Sequence, residues 1–505
     1  MIAGVVLLSV MLGAGPPAIR RQGVVNAASQ RPAALGGGIS RGSLICIYGV
    51  RFAEGAQANR VSIESAGRTH SLSIVRADSQ RLEAWIPPDA PLGPTRLTVT
   101  SNGLESAPEE IALVQSAPGL FSVNEAGWGP ARSSNTPENS VTPGGRVTLE
   151  ATGLAPADRP EMRVGNSRAR VVSIRAGTAP SYTARITLEI PADAPEGCYV
   201  PVSARPRGGL VSNTVTIAIH RGGGACVHAP NDPAGGWKGG RTALLALSRT
   251  VRRPAEAPQD RMEDEVIAGF SDVPPGKTRA SPLLAMPPVG TCAAYTTVLT
   301  ADTQLGNSVW NLLFGEIPGK ELDAGASIDV RSQSVQLKVP VVAGVTGLYR
   351  RNLSATIGRV PPRNRVSLDS GRIMIAGTGG AQVGPFSVAL PAPVAFGAPN
   401  PLANPAVRSG PVTVEWAGGH SEGSVAIILF GADANLNVAG MTYCTAPMAA
   451  GRFTIPAGLL AQLPAGRGDL VLASWWGQTI SPPPPGIARV MAISAFARSF
   501  EIQFE

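Results

Sequence analysis

A unit of about 100 residues occurs twice within the first 220 positions of this 505-residue chain, and this duplication constrains the fold more than any other feature. Three segments recur in the same order, with only small insertions between the copies. Segments repeated in a fixed order predict a tandem duplication of one folding unit. The matched pairs are ISRGSLICIYGVRFA (39–53) with VTPGGRVTLEATGLA (141–155) at an offset of 102, IPPDAPLGPTRLTV (86–99) with IPADAPEGCYVPV (190–202) at 104, and SNGLESAPEEIALV (101–114) with SNTVTIAI (212–219) at about 110.

Each copy has the residue pattern of β-structure. Runs of four to eight residues alternate apolar and polar side chains, as in RLTVTS (96–101), RVTLEA (146–151) and ARITLEI (184–190). This alternation is typical of strands with one face on a core and the other in water. About seven such strands per 100 residues predict an immunoglobulin-like sandwich. The antibody spacing of Cys, Trp and Cys is absent, so the cores must be built from Val, Ile and Leu.

Composition extends the β prediction to the rest of the chain. Glycine (59) and proline (46) together leave little room for long helices. Charged residues make up 15% and hydrophobic residues 44%, which excludes a chain that is disordered through excess charge. The predicted fold class is all-β, with tandem immunoglobulin-like β-sandwiches followed by one or two further β-sandwich-type modules. The expected divisions are a signal peptide (1–18), two Ig-like domains (19–118 and 119–220), a linker or β-rich connector (221–284), a β domain (285–395) and a C-terminal β-sandwich-like domain (396–505).

Several stretches of the first 220 residues resemble a known family. GVVNAASQ (23–30), the run through ICIYGVRFA (45–53), and SAPGLFSVNEAGWGPA (116–131) are similar to exported acidobacterial proteins of the Solibacter C-terminal-domain type, which carry paired IPT/TIG-like immunoglobulin-type domains. The most specific pieces are the Asn-Ala-Ala-Ser start and the Ala-Pro-Gly-Leu-Phe junction, and the sequence departs from the family at Cys46. The resemblance implies an Ig-like fold, export and a modular extracellular role. It implies no catalytic residue.

The N-terminus has the character of an export signal. Residues 2–14, IAGVVLLSVMLGA, form an apolar run that is too short to span a bilayer as a helix. Small residues and two prolines follow, which favours cleavage near residues 14–18, although no Lys or Arg precedes the run. We therefore expect a secreted or cell-envelope protein with no membrane contact beyond this segment.

The five cysteines fit an oxidising compartment. Cys198 and Cys226 flank strand-like runs at one end of the second repeat, so a bridge between them is expected. Cys292 and Cys444 are candidate partners for each other. Cys46 lies in an apolar run and is expected to be a buried free thiol. The chain has no Cys-x-x-Cys pair and only four widely spaced histidines, so neither a metal site nor a cofactor is predicted.

Two Gly-x-Ser-x-Gly stretches raise the possibility of a serine hydrolase, around Ser40 and Ser421. In that elbow a helix begins directly after the serine. Both stretches are followed by strand-like runs instead. Ser40 also aligns with Thr142 of the second repeat, and His420 is adjacent to Ser421 on the wrong side for a triad. Neither serine is therefore predicted to be a nucleophile.

Carboxylate pairs and basic clusters are further candidates for a functional site. Glycosidases need two carboxylates facing a cleft, and the chain offers Glu263, Asp264 and Glu265 in one run, and Asp323 with Asp329. The run is expected to be a solvated edge, and the second pair a turn and a strand. The 43 basic residues against 35 acidic ones are scattered rather than striped, so no nucleic-acid partner is predicted.

Adjacent tryptophans give the one candidate ligand surface. Trp475 and Trp476 lie in a strand-like run, so one should face the core and the other should point outward. An outward Trp can stack on a sugar ring. It can equally pack against the four prolines at 482–485. Trp237 and Trp310 lie in loop-like contexts and are candidates of the same kind.

The sequence therefore favours a non-catalytic extracellular protein that binds polysaccharide or protein, or serves adhesion. One alternative is an extracellular hydrolase with its site in residues 221–505. A second is a purely structural stalk.

Overall fold

A computed structural model gives the fold. It describes residues 15–31, 39–65, 67–154, 156–227, 240–253, 260–274, 287–298, 319–333, 336–353, 368, 371–399, 402, 406–420, 423–433 and 438–505. Most of the expected signal segment lies outside these ranges. Within them, no helix is both long and apolar enough to cross a bilayer.

The first domain is a sandwich whose strands run in the order β1-β3-β6-β5-β4-β7-β9-β2, with β8 paired to β7. Strand β5 contributes to both halves of the sandwich. Its first part, Arg68–Leu72, pairs with β4, and its second part, Ser73–Ala77, pairs with β6. Alternate Val, Ile and Leu side chains fill the space between the halves. The strands are β1 (Ala18–Asn26), β2 (Ile39–Ser40), β3 (Leu44–Val50), β4 (Asn59–Ser65), β5 (Arg68–Ala77), β6 (Arg81–Trp85), β7 (Gly93–Ser101), β8 (Leu104–Glu105) and β9 (Glu109–Val114).

The second domain repeats this arrangement. Its strands run in the order β10-β11-β14-β13-β12-β15-β16. The last six of these, from β11 to β16 in this order, match β3-β6-β5-β4-β7-β9 of the first domain one for one. Strand β13 again pairs with both halves. The internal duplication and the Ig-like sandwich class are therefore confirmed. The strands are β10 (Gly119–Leu120), β11 (Arg146–Thr152), β12 (Glu161–Val164), β13 (Ser167–Arg175), β14 (Ala184–Glu189), β15 (Gly197–Arg205) and β16 (Val215–Ile219).

The two copies also agree in backbone detail. The Gly42 N–H donates to the Ile86 carbonyl at 2.9 Å, and the Gly144 N–H donates to the Ile190 carbonyl at 2.8 Å. Both glycines are left-handed, with φ of 76° and 78°, a conformation that glycine adopts at little cost. The same turn therefore leads into the same strand in each domain.

One part of the sequence alignment is wrong. The Ser106 N–H donates to the Val99 carbonyl, and the Val99 N–H donates to the Ser106 hydroxyl. Ser212 makes the same pair of bonds with Ala204. Ser106 is thus the counterpart of Ser212, at an offset of 106 rather than about 110. The sequence alignment pairs Ser212 with Ser101 instead, because both are followed by Asn, but Ser101 ends β7.

The remaining residues build a nine-stranded sheet of order β19-β30-β29-β32-β33-β17-β18-β20, with β23 paired to β18. A four-stranded sheet (β22-β21-β24-β25) and two small ribbons (β26-β28 and β27-β31) accompany it. The single α-helix of the described residues falls in the segment AGLLAQL. The elements are β17 (Gly240–Arg253), β18 (Arg261–Val273), β19 (Cys292–Val298), β20 (Lys320–Glu321), β21 (Ser327–Arg331), β22 (Gln336–Pro340), β23 (Leu348–Asn352), β24 (Arg372–Gly377), β25 (Phe386–Pro391), β26 (Phe396–Gly397), β27 (Val412–Glu415), β28 (Ala417–Gly418), β29 (Ser424–Ala432), β30 (Val438–Pro447), β31 (Arg452–Ile455), α1 (Ala457–Leu460), β32 (Gly466–Ile480) and β33 (Arg489–Phe504).

Residues 240–273 are therefore not a connector. Strands β17 and β18 form an antiparallel hairpin, and β17 also pairs in parallel with β33 from Thr242 to Arg253. Ala243, Leu245 and Leu247 face a core shared with the four-stranded sheet, while the alternate residues face a second core. Strands with both faces buried carry continuous apolar runs. The segments 285–395 and 396–505 accordingly share one sheet and do not separate at residue 395.

The joint between the first two domains is built by the two segments that carry the family resemblance. The Asn26 Oδ1 atom accepts hydrogen bonds from the N–H groups of Ala28 and Ser29 at 2.9 and 3.0 Å. Its Nδ2 atom donates to the Ala117 carbonyl at 3.2 Å. A Cβ atom at Gly119 would collide with Asn26 and Ala28, so the close approach requires glycine there. The Asn-Ala-Ala-Ser start and the Ala-Pro-Gly-Leu-Phe junction thus fit together as one contact.

Stacking and charge pairing extend this joint. The rings of Trp85 in the first domain and Tyr182 in the second stack at 4.6 Å. Arg81 of the first domain contacts Glu125 of the second at 3.1 Å. The joint therefore combines a buried polar anchor with apolar and ionic contacts around it.

Replacing Asn26 with Ala should destabilise this joint. The change leaves two N–H groups and one carbonyl without their partner in a buried place, which should cost on the order of 3 kcal/mol of unfolding free energy. Urea denaturation of the full chain measures the loss. The control is Asn166→Ala, which removes one exposed hydrogen bond to the Gly290 carbonyl and should change stability by under about 1 kcal/mol. Equal effects from both variants would contradict this account.

Candidate functional site

Both candidate disulfides are present in the structure. Cys198 at the start of β15 bonds to Cys226, and Cys292 of β19 bonds to Cys444 directly opposite in β30. Cys46 is free and buried, and burial raises the pKa of its thiol. This cysteine pattern fits an oxidising compartment.

The Gly-x-Ser-x-Gly stretch at Ser40 is structural. Its hydroxyl is fully buried and donates toward the carbonyls of Ala117 and Gly153, at 3.2 and 3.4 Å, at the joint between the first two domains. A hydroxyl committed to carbonyl oxygens in a buried joint is not positioned as a nucleophile. Ser421 lies outside the described residues.

The acidic run at 263–265 is only partly a solvated edge. Glu263 is exposed, but Asp264 is completely buried and holds Arg249 through two bonds of 2.7 and 2.8 Å. The Leu368 N–H also donates to Asp264, at 2.8 Å. Glu265 pairs with Arg350 at 2.6 Å. The expectation of a solvated run was wrong at Asp264 because β18 lies inside the large sheet, where a carboxylate needs a partner.

Asp323 and Asp329 have separate structural roles. The Asp323 carboxylate accepts the N–H groups of Gly325 and Ala381, and these bonds lower its pKa. Asp329 lies on β21 beside Arg331, at 3.6 Å. These contacts agree with the expectation that Asp323 lies in a turn and Asp329 in a strand. Within the described residues, no three His, Cys, Asp or Glu side chains group into a metal site.

Asp264→Asn should destabilise the large sheet strongly. Removing the carboxylate charge leaves the largely buried Arg249 guanidinium uncompensated, at a cost of roughly 3–5 kcal/mol. Denaturant unfolding monitored by tryptophan fluorescence measures it. Glu263→Gln on the same strand is the matched control and should have little effect. An Arg249→Met, Asp264→Leu double variant should recover most of the stability, whereas equal losses in all three would sink the ion-pair explanation.

The two adjacent tryptophans face opposite sides of β32. Trp475 is 4% exposed and packs in the core with Ile428, Tyr443 and Ile493. Trp476 is partly exposed. A stacking role for ligands is therefore open to Trp476 alone of this pair. Trp237 and Trp310 lie outside the described residues.

Replacing each tryptophan should give different outcomes. Trp475→Ala opens a cavity in a close-packed core and should cost about 3–5 kcal/mol of stability. Trp476→Ala removes a partly exposed ring from the other face and should cost clearly less. Thermal unfolding of both variants beside the unsubstituted chain makes the comparison, and a greater loss for Trp476→Ala would reverse this assignment of faces.

A cleft of about 780 Å³ lies between the second domain and the C-terminal region. The second domain contributes the loop after β15, from Arg205 to Val211. The C-terminal region contributes Arg408, Asp433 and the stretch around α1, from Gly458 to Ala465. This size suits a small molecule or a few residues of a polymer.

Arginine side chains dominate the polar lining of this cleft. Arg31 donates from Nη1 to the Val211 carbonyl at 3.0 Å, but its Nε and Nη2 atoms are buried and have no hydrogen-bond partner. Burial lowers the pKa of Arg31 to about 10. Arg408 donates to the Leu463 carbonyl at 2.7 Å, and its buried Nε likewise has no partner. Arg205 is exposed at the rim against Gly458.

Sequence reasoning did not find the cleft. Its lining comes from positions near 31, 205–211, 408, 433 and 458–465, which form no motif in the chain. The only usable signal was the excess of arginine, but the basic residues are scattered along the sequence and do not indicate a site.

Comparison with known proteins gives structural likeness only. No family model and no curated protein matches the chain. A Bacteroides ovatus mixed-linkage glucan utilization locus protein, SGBP-B, solved with a mixed-linkage heptasaccharide, is 15% identical and covers 41% of this chain and 48% of its own, with a TM-score of 0.23. The surface glycan-binding protein PbSGBP-B from Prevotella bryantii is 16% identical over 50% of this chain and 53% of its own, with a TM-score of 0.16.

A third structure, the tetra-tandem repeat in the extending region of a large adhesion protein, is 11% identical. It covers 95% of this chain and 98% of its own, with a TM-score of 0.13. The chain thus spans about half the length of each glycan-binding protein it matches. TM-scores this low carry no conclusion about fold or function, which rest on the geometry of this chain itself.

Proposed function

We propose that this protein is a non-catalytic binding protein of the extracellular space or cell envelope, and that its ligand is a polysaccharide bound in the cleft between the second Ig-like domain and the C-terminal region. The observation that carries the proposal is the cleft itself, a concave site at a junction between structural units, where ligand sites commonly occur. Protein surfaces that dock to one another are broader and flatter than this.

Three of the catalytic candidates that the structure describes have structural partners, which supports a non-catalytic role. Ser40 is bound within the domain joint, Asp264 holds Arg249, and Asp323 caps a turn. Each of these groups has a structural partner rather than a second reactive group beside it. The two disulfides are consistent with an extracellular location, where such bonds persist.

The lining of the cleft also suits a sugar polymer. Pro206, Leu210 and Pro464 supply apolar surface for the C–H faces of sugar rings, and the amide of Gln462 adds a polar group. Most ligand sites combine such apolar lining with a few placed polar groups.

A polysaccharide panel tests the proposal with the full chain. Leu210→Trp should fill part of the cleft and weaken binding at least about tenfold, because a ligand and the added ring cannot occupy the same volume. Leu104→Trp places the same ring on an exposed strand of the first domain and should leave binding unchanged. Isothermal titration calorimetry gives the dissociation constants.

Trp476→Ala is the third arm of this experiment. Binding lost in Trp476→Ala but retained in Leu210→Trp would move the site to strand β32 and contradict the cleft assignment. A well-folded chain that binds no polysaccharide of the panel would overturn the proposal and favour a protein partner or a passive stalk.

A further inference from the structure

The guanidinium groups of the cleft carry an inference that rests on the proposed function and narrows its ligand. We propose that the cleft recognises the carboxylate groups of an acidic, uronate-containing polysaccharide, held by Arg31 and Arg408. Neutral sugars offer these groups only hydroxyls, whereas a carboxylate accepts two parallel N–H bonds from one planar guanidinium.

The unpartnered nitrogens of Arg31 are the first support. Its Nε and Nη2 atoms are both buried, and neither has an acceptor, although the adjacent Nη1 is bonded to the Val211 carbonyl. Buried donors are almost always satisfied in folded proteins, and a buried cation without a counter-charge is costly. An acceptor that arrives from outside would remove that cost.

The charge balance of the cleft is the second support. Arg31, Arg205 and Arg408 line it, against a single carboxylate, Asp433. Asp433 is itself engaged in an interaction of its own. The buried Nε of Arg408, which also lines the cleft, likewise has no hydrogen-bond partner. Two arginines contributed by different structural units therefore line one cavity, and each has at least one buried nitrogen atom without a hydrogen-bond partner.

The absence of aromatic lining supports an anionic ligand over a neutral one. No Trp, Tyr or Phe is among the described residues that line the cleft. Neutral sugars are usually held by stacking on aromatic rings. None of the large hydrophobic side chains that the described surface exposes lines the cleft either, and such anchors dominate protein–protein hot spots.

Polygalacturonate and its fully methyl-esterified form provide a matched pair of probes, since they share one backbone and differ in charge. The full chain should bind polygalacturonate, and esterification should weaken binding at least about tenfold, because the loss of charge-assisted hydrogen bonds has effects of this size. Raising the salt concentration from about 50 mM to about 300 mM should also weaken binding to the charged polymer.

Arg31→Met and Arg408→Met should each weaken polygalacturonate binding on the order of tenfold to a hundredfold. The control is Arg207→Met, which removes the same charge from an exposed residue that lies in the same loop but is not among the residues that line the cleft. It should leave the affinity within about twofold. Equal losses in all three variants would reduce the effect to general electrostatic attraction and overturn the assignment of Arg31 and Arg408.

Thermal unfolding separates a binding role of Arg31 from a structural one. In the absence of ligand, Arg31→Met should not lower the melting temperature, because the substitution removes a buried charge that lacks a partner. Arg31→Met that melts well below the unsubstituted chain would show that its bond to Val211 is needed for folding, and would overturn the binding interpretation.

Two results would break the inference in different ways. If esterified and charged polymers bind equally, with Leu210→Trp still blocking both, the proposed function stands and the acidic ligand class is wrong. If no polysaccharide binds but poly-glutamate does so in an Arg31-dependent manner, the cleft serves an acidic protein segment, and both the ligand class and the polysaccharide function fail.

Discussion

The parallel pairing of β17 with β33 is the contact on which the C-terminal half of this molecule depends. It joins Thr242–Arg253 to Arg489–Phe500 along its whole length, so the beginning and the end of this half lie side by side in the middle of one sheet. Every strand between them is added outward from this pair or packed on its faces. The contact links positions nearly 250 residues apart, so forming it costs chain entropy through loop closure. Burial of both faces of the pair offsets this cost. The apolar side chains that alternate between the two cores do this.

The sequence was sufficient to predict the parts of the fold that depend on local pattern. The duplication follows from segments that recur about 100 residues apart, and the strands follow from the alternation within each segment. The structure agrees with both predictions. The prediction of a connector was wrong at β17 because a strand buried on both faces shows no alternation of apolar and polar residues. Its partner strand β33 also lies at the far end of the chain. The segment alignment at 101–114 failed because a shared dipeptide outweighed the position of the strand that follows it.

The cleft could not be predicted for a related physical reason. Each of its arginines is an ordinary residue in its local context: Arg31 follows a turn, Arg205 ends a strand and Arg408 lies between short elements. Only the arrangement of the first domain, the second domain and the C-terminal region in the folded chain places them around one cavity. The disulfide candidates were accessible from sequence because cysteines are few, so that counting them restricts the pairing. Arginine is too abundant in this chain for counting to restrict anything.

The Cys292–Cys444 bridge changes what proteolysis can do to this protein. It spans 152 positions and ties the edge strand β19 to β30 inside the large sheet. A peptide bond cut anywhere between these cysteines leaves two chains that are still covalently joined, with β17 and β33 on opposite fragments and paired in the same sheet. A protein with this arrangement can be nicked within the enclosed segment without releasing either part. Release would require reduction of the bridge as well as separation of the sheet.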